Sequence, residues 1–263
     1  MKYTDCNWYD YPAYYDLAFK DETNVEAPFI QAVIEKHAKL KVTKLFEPAC
    51  GSGRLLVALA KADYYCHGFD INQPSIDYLN DKINQQTLNA KATIDTMESF
   101  HLKPKHGGKF DGGFCTLSTF RHLHKPTDAL SHLQCCSNHL NKGGIYVLGI
   151  HLITSTVDIL DDTWDIDNHQ DGVTVKASLR TLDYNKTKRI ETLQAKLLIN
   201  TPTKNLRLLS DYTLKTYTHQ QIKALLAKVP TLKHIATYDS YDVDKPIALN
   251  GTQDDVVIIL QKI

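Results

Sequence analysis

The sequence predicts an α/β protein, a doubly wound and mostly parallel sheet into which an antiparallel β-meander is inserted. Three observations predict it. Short apolar runs alternate with helix-patterned segments from about residue 24 to residue 150, which favours parallel strands joined by crossover helices. A strand, a glycine turn and a helix follow one another without a break from Lys44 to Ala60. From about residue 153 the apolar spacing changes to alternation, as in a sheet with one buried face. With 263 residues and 43% hydrophobic composition, the chain can bury a full core. The expected division is a core of residues 1–152 and 218–263, its first 22 residues an aromatic cover, with residues 153–217 inserted as a lid, a dimer surface or both.

The head of the chain carries Trp8, Tyr9, Tyr11, Tyr14, Tyr15 and Phe19, with Pro12 interrupting any regular helix. It reads as a lid, or as a strap whose rings cover the core. Thr23 and Glu26 have capping-box spacing, and Phe29, Ile30, Val33, Ile34 and Ala38 repeat at helical intervals, so a helix is expected over residues 24–40. After the glycine turn, Tyr64 to Asp70 reads as a second buried strand ending on an acid, and Pro74 suits the first turn of a helix running to about Asn84. Ala90 to Asp95 is a third strand and Phe110 to Leu117 a fourth. Pro126 opens a helix closed by Asn141-Lys142-Gly143-Gly144, and Ile145 to Ile150 is a fifth strand.

Beyond residue 153, Val173, Val175, Ala177 and Leu179 alternate with polar residues, and segments 190–199 and 205–217 read as further strands. Thr218 and Gln221 form a second capping box before a helix that stops at Pro230. Leu232 to Tyr238 and Asp255 to Leu260 then read as two strands that rejoin the main sheet.

Charge and cysteine usage narrow the function. Lys plus Arg and Asp plus Glu each number 30, and no block of like charge is present, which argues against a nucleic-acid partner. No apolar run has the length of a membrane span, and the opening Met1-Lys2-Tyr3-Thr4-Asp5-Cys6 lacks the pattern of a signal peptide, so no membrane association and a cytoplasmic location are expected. The six cysteines show no Cys-x-x-Cys spacing, and neither a metal nor a disulfide is expected.

The glycine turn reads Glu47-Pro48-Ala49-Cys50-Gly51-Ser52-Gly53-Arg54. A dinucleotide site needs a third glycine three positions after Gly53, and Leu56 stands there instead. Glu47 at the strand end would repel a pyrophosphate and attract a cationic amino group. Asp70, nineteen positions past Gly51, ends the next strand, where its two oxygens can accept both hydroxyls of a ribose. The turn therefore suits a ligand with a ribose and an ammonium.

That combination resembles the class I S-adenosylmethionine-dependent methyltransferases, whose first motif is an acid followed by Ala-Cys-Gly-x-Gly-Arg or close variants. Gly68-Phe69-Asp70-Ile71 looks like the ribose-binding motif of that family, Asp95-Thr96-Met97 its adenine-flanking segment, and Phe110 to Ser118 its fourth strand and following loop. The aromatic head and inserted strands resemble the small-molecule branch. The resemblance implies a Rossmann-like sheet of seven strands, the last antiparallel, with S-adenosyl-L-methionine as cofactor. It would be held by Glu47, Ala49, Gly51, Gly53, Asp70, Ile71, Asp95, Thr96, Met97 and Cys115. Enzymes of the family acting on base amines place an Asn or Asp before Pro-Pro and an aromatic after the fourth strand; here Leu117 to His122 stands in that place.

The expected reaction is methyl transfer to N or O of a small metabolite. The candidates for catalytic residues are His122, His151 and Tyr15, with His124 beside them. Tyr14, Phe120, Arg121 and Trp164 are the candidates for the acceptor pocket, Arg121 because a guanidinium could clamp a carboxylate, or else pair with an acid of the protein. His122 and His124 could share a metal, but no third ligand suggests itself. The competing readings are a methyltransferase of RNA or protein, an inactive cofactor-binding regulator, and a nicotinamide dehydrogenase.

Overall fold

The computed structural model describes residues 2–154 and 163–263; positions 155–162 of the expected insertion lie outside them. The elements in chain order are β1 (Thr4–Asp5), a 3₁₀ turn (Trp8–Asp10), α1 (Pro12–Ala18), α2 (Lys20–His37), β2 (Lys44–Pro48), α3 (Arg54–Lys61), β3 (Tyr65–Asp70), α4 (Gln73–Gln85), β4 (Ala90–Ile94) and β5 (Phe110–Cys115). A second 3₁₀ turn (Thr119–His122), α5 (Pro126–His139) and β6 (Leu140–His151) follow, then β7 (Thr163–Gln170), β8 (Val173–Asn185), β9 (Ile190–Asn200), β10 (Asn205–Lys215), α6 (His219–Leu226), β11 (Leu232–Asp239) and β12 (Asp255–Lys262).

Seven strands form one sheet in the order β11-β12-β6-β5-β2-β3-β4. β12 runs antiparallel to both neighbours, while β6, β5, β2, β3 and β4 are mutually parallel. Helices cover both faces. Phe46, Phe69, Phe100, Phe110 and Tyr146 pack beneath α5 and α6, and Leu45, Phe114 and Val147 pack beneath α2, α3 and α4. Strand order reverses at β2 and β5, and a ligand crevice opens beyond the carboxyl ends of strands at such a point.

The second sheet has the order β1-β10-β9-β8-β7. Val175, Ala177, Leu179, Ala195, Leu197 and Leu208 bury one face of it against Trp8, Ala18 and Phe19 of the N-terminal segment. The head of the chain thus packs with the meander, and β1 pairs directly with β10.

Two boundaries differ from the sequence expectation. Helix α2 begins at Lys20, so Thr23 is inside it, its hydroxyl donating to the Phe19 carbonyl at 2.8 Å. Glu26 is consumed by Arg54, 2.7 Å away, so the capping-box pair has another use. Strand β6 starts at Leu140, because Gly143, with φ +87°, lets the chain turn while it stays extended. The box at Thr218 and Gln221 forms as expected, with both reciprocal hydrogen bonds. Among the described residues no helix is long and apolar enough to cross a membrane.

Candidate active site

One cavity of about 1010 Å³ lies over the carboxyl edge of the main sheet. Its floor is built by the ends of β2, β3, β5 and β6. The N-terminal segment and the inward faces of β8 to β10 contribute walls through Trp8, Tyr15, Leu179, Leu193 and Tyr212.

At one end, β2 delivers Glu47 and the turn after it. Ala49, Gly51 and Gly53 have φ values of +49°, +51° and +72°, the left-handed region in which glycine carries no steric cost. Open space surrounds the missing Cβ of Gly51, whereas a Cβ on Gly53 would come within 2.3 Å of Leu79 Cδ1. Gly51 therefore faces the cavity, and Gly53 lets the turn pack closely on α4. The Gly51 N–H donates to Asp70 Oδ2 and the Asn72 N–H to Asp70 Oδ1, both at 2.8 Å. These bonds fix the carboxylate in the cavity wall and leave lone pairs for a diol. Burial raises the Asp70 carboxyl, and the backbone donors partly oppose the rise.

Glu47 is 8% exposed and its Oε2 has no hydrogen-bond partner. Burial pushes its carboxyl well above the carboxylate range, only partly offset by Arg54, which is itself paired with Glu26. A buried acceptor without a donor costs free energy until a ligand supplies one. Ile71, Asp95 and Met97 also line this end, as does Cys115, whose thiol is pushed up to about 12 by burial.

At the other end, β5 runs into Leu117 and Ser118, both with positive φ (+47° and +59°), which throws the 3₁₀ turn across the cavity. His122 Nε2 is 3.2 Å from the Tyr9 hydroxyl. Burial lowers His122 to about 4, with His124 and Arg121 contributing, so the ring is neutral at ordinary pH. The Tyr9 hydroxyl is raised to about 12 by burial. Tyr212 stacks on both His122 and Trp8, at centroid distances of 6.2 and 5.7 Å, and Tyr15 tilts against Phe19, which touches the half-exposed Trp164. His151 lines the cavity beside Asp255, 3.0 Å from Nδ1 to Oδ1, and its backbone N–H donates to Ser118 Oγ.

Of the residues singled out in the sequence, the cavity gathers Tyr15, Glu47, Ala49, Gly51, Asp70, Ile71, Asp95, Met97, Cys115, Arg121, His122, His151 and Trp164. Four stand off it. Phe120 is fully buried against His132 and Tyr217, Tyr14 stacks on Tyr11, Gly53 packs on Leu79, and Thr96 is outside the wall. Arg121 does line the cavity, but its guanidinium is committed: Nε donates to the Lys215 carbonyl at 2.9 Å and Nη2 pairs with buried Glu191. It is the protein-acid pairing, not a carboxylate clamp. His124 is exposed and meets the Thr213 carbonyl instead of sharing a ligand with His122. The sequence reading missed Tyr212 and Tyr241. Tyr212 has a signal, since Leu208, Ser210, Tyr212 and Leu214 alternate on one face of β10; Tyr241 lies in a loop and has none.

Residues 46–144 match the family model described as a methyltransferase domain. The chain carries a methyltransferase domain. Beyond it, more than nine-tenths of the chain superposes on solved methyltransferases. These include an S-adenosylmethionine-dependent methyltransferase from Clostridium acetobutylicum, with TM-score 0.73, 16% identity and 91% of each chain covered. DesVI of Streptomyces venezuelae gives TM-score 0.76 and 15% identity over 96% of this chain and 97% of that one. The sugar N-methyltransferase KedS8 from Streptoalloteichus gives 0.70 and 15% over 91% and 87%. At such identity the likeness is one of fold, the S-adenosylmethionine-dependent methyltransferase fold. No curated protein matches the chain.

The methyltransferase domain fits that cofactor on its own geometry. Its turn leaves open space at Gly51, Asp70 presents a fixed carboxylate, and Glu47 holds an orphaned oxygen where a cationic group would sit.

Proposed function

We propose that the chain transfers a methyl group from S-adenosylmethionine to a nitrogen or oxygen of a small-molecule metabolite. The observation that carries this reading is the continuity of one roofed cavity from Glu47 and Asp70 to His122 and Tyr212. When bound, the donor supplies a methyl group already activated by its sulfonium, so alignment is the main task left to the protein. Asp70 and the Gly51 turn would hold the ribose, and Glu47 an ammonium. Trp8, Tyr9, Tyr15 and Tyr212 exclude water and offer ring faces to a cation, an attraction of about 0.5–2 kcal/mol each when dry. His122, kept neutral by burial, offers Nε2, where Tyr9 now sits, as a hydrogen-bond acceptor that can orient the N–H or O–H of the methyl acceptor, whose proton passes to solvent.

Nitrogen is favoured by likeness. Solved relatives include a sugar N-methyltransferase, an amino pentose methyltransferase and a glycopeptide N-methyltransferase. A roofed cavity of this size argues against RNA or protein as substrate, and its reach to Ser118 and His122 argues against a blocked, inactive site. Calorimetry tests the cofactor half: wild-type protein should bind S-adenosylmethionine, and Asp70→Ala or Gly51→Val should abolish or strongly weaken binding. Unchanged binding in both variants would overturn the reading. Mass spectrometry of candidate acceptors, looking for the gain of one methyl group in place of a hydrogen, tests the other half.

A further inference from the structure

A histidine that does not line the cavity holds two parts of its wall. Beside Asp70 the wall includes Met97 and Glu98 from the segment after β4, and Cys115 from the end of β5. The segment starts against Asp70, whose carbonyl accepts from the Asp95 N–H at 3.3 Å. No strand or helix contains Met97 or Glu98, so neighbours must fix them. Helix α5 supplies the bonds. The Ser131 hydroxyl donates to the Glu98 carbonyl at 2.6 Å, and His132 Nδ1 donates to the Met97 carbonyl at 3.0 Å.

The bond to Met97 decides the form of the ring. A carbonyl oxygen cannot donate, so Nδ1 carries the proton. Burial lowers His132 to about 4, and Nε2 is therefore bare at neutral pH and can only accept. Its donor is the Tyr146 hydroxyl on β6, 2.8 Å away, and the oxygen of that hydroxyl is hydrogen-bonded in turn to the Cys115 thiol. Cys115, Tyr146 and His132 are all fully buried. A chain of hydrogen bonds thus runs from Cys115 through Tyr146 and His132 to the Met97 carbonyl, and both of its ends belong to the cavity wall. In a dry interior a shift of either end leaves a buried donor or acceptor without its partner, so the chain resists any change in the separation of the ends.

We propose that His132 is a positioning residue for the cofactor: by bridging the Met97 carbonyl and the Tyr146–Cys115 pair, it sets the spacing of the walls that meet the base once the ribose is on Asp70. This rests on the methyltransferase reading and adds to it a residue that lies behind the wall and reaches the ligand only through others.

The test begins with calorimetry of S-adenosylhomocysteine and the full-length wild type; no binding there would overturn the methyltransferase reading itself, and this proposal with it. Methylthioadenosine, which keeps the base and ribose but lacks the amino-acid end, is the second ligand. His132→Phe and Tyr146→Phe, each checked by urea unfolding and assayed where it is folded, should weaken both ligands by the same factor, about tenfold. The wild type gives a readout that needs no variant. In histidine-labelled protein, with the ring of His132 assigned through its backbone, NMR should find the proton on Nδ1, and the ring signals should shift when methylthioadenosine is added. A proton on Nε2, ring signals that neither ligand moves, or no binding of methylthioadenosine would overturn the proposal. So would folded variants that keep the wild-type affinity for both ligands, or that lose affinity for S-adenosylhomocysteine alone.

Discussion

His122 shows how much a single residue owes to its surroundings. In water its ring would be charged for part of the physiological range, but burial under Tyr9 and Tyr212 lowers it to about 4 and leaves a neutral nitrogen at the acceptor end. His122→Asn should lower kcat by about a hundredfold or more, with the S-adenosylmethionine Kd unchanged, as measured by steady-state kinetics beside calorimetry. A matching loss in cofactor affinity would instead make it a residue of the fold. The sequence named His122 as a catalytic candidate beside His151 and His124 but could not tell these apart among the twelve histidines of the chain, because the neighbours of His122 come from residues 9 and 212. Glu47, Gly51 and Asp70 were legible for the opposite reason. Their chemistry is set by backbone turns within a short stretch, and spacing alone fixes where they meet. Asp111 was visible in its motif but not in its role: it accepts from the Thr43 and Lys44 N–H groups, the Thr43 hydroxyl and Asn141 Nδ2, all at 2.9–3.0 Å, and so pins the start of β2.

Among the elements, the 3₁₀ turn after β5 depends on the meander. Arg121 reaches from it to Glu191 on β9, which also accepts from the Thr181 hydroxyl on β8. Removing one charge of a buried pair leaves the other uncompensated, so Glu191→Leu should cost about 3–5 kcal/mol by urea unfolding, while the double variant Arg121→Met with Glu191→Leu should recover most of that loss. Equal instability in both would mean that the packing, not the charge, is what matters. The alternation of polar and apolar residues made the meander legible as strands. Its attachment was not, since nothing local tells that Glu191 will meet a residue seventy positions earlier. The shifted start of α2 has the same origin: Thr23 and Glu26 have cap spacing, but tertiary contact with Arg54 outcompetes the local motif.

Over the whole molecule, buried titratable groups set the response to acid. His67, His122 and His132 each lie at about 4, with burial the main cause, against an ordinary value near 6.5. Between those values the unfolded chain binds more protons, so the stability these groups allow is full above about pH 6.5 and is lost as pH falls toward 4. Glu22, Glu47 and Asp70 are raised by burial and act in the other direction, contributing stability at low pH that is lost as pH rises through their elevated values. Urea unfolding across this range should show stability falling on acidification, and Glu47→Gln should steepen the fall by removing an opposing group; a flat profile in both would contradict the assignment. The second sheet carries one more consequence. Its buried face is completed by Trp8, Ala18 and Phe19, while the same segment is tied to the cofactor side by Asp16, which accepts from Ser52 and Tyr78 and pairs with Lys82, and by Asp10, which accepts from Asn72. For anyone grafting acceptor specificity between relatives, the exchangeable cassette is therefore discontinuous: strands β7 to β10 must travel with residues 4–19, and the recipient must supply Ser52, Asn72, Tyr78 and Lys82 as the sockets into which that segment plugs.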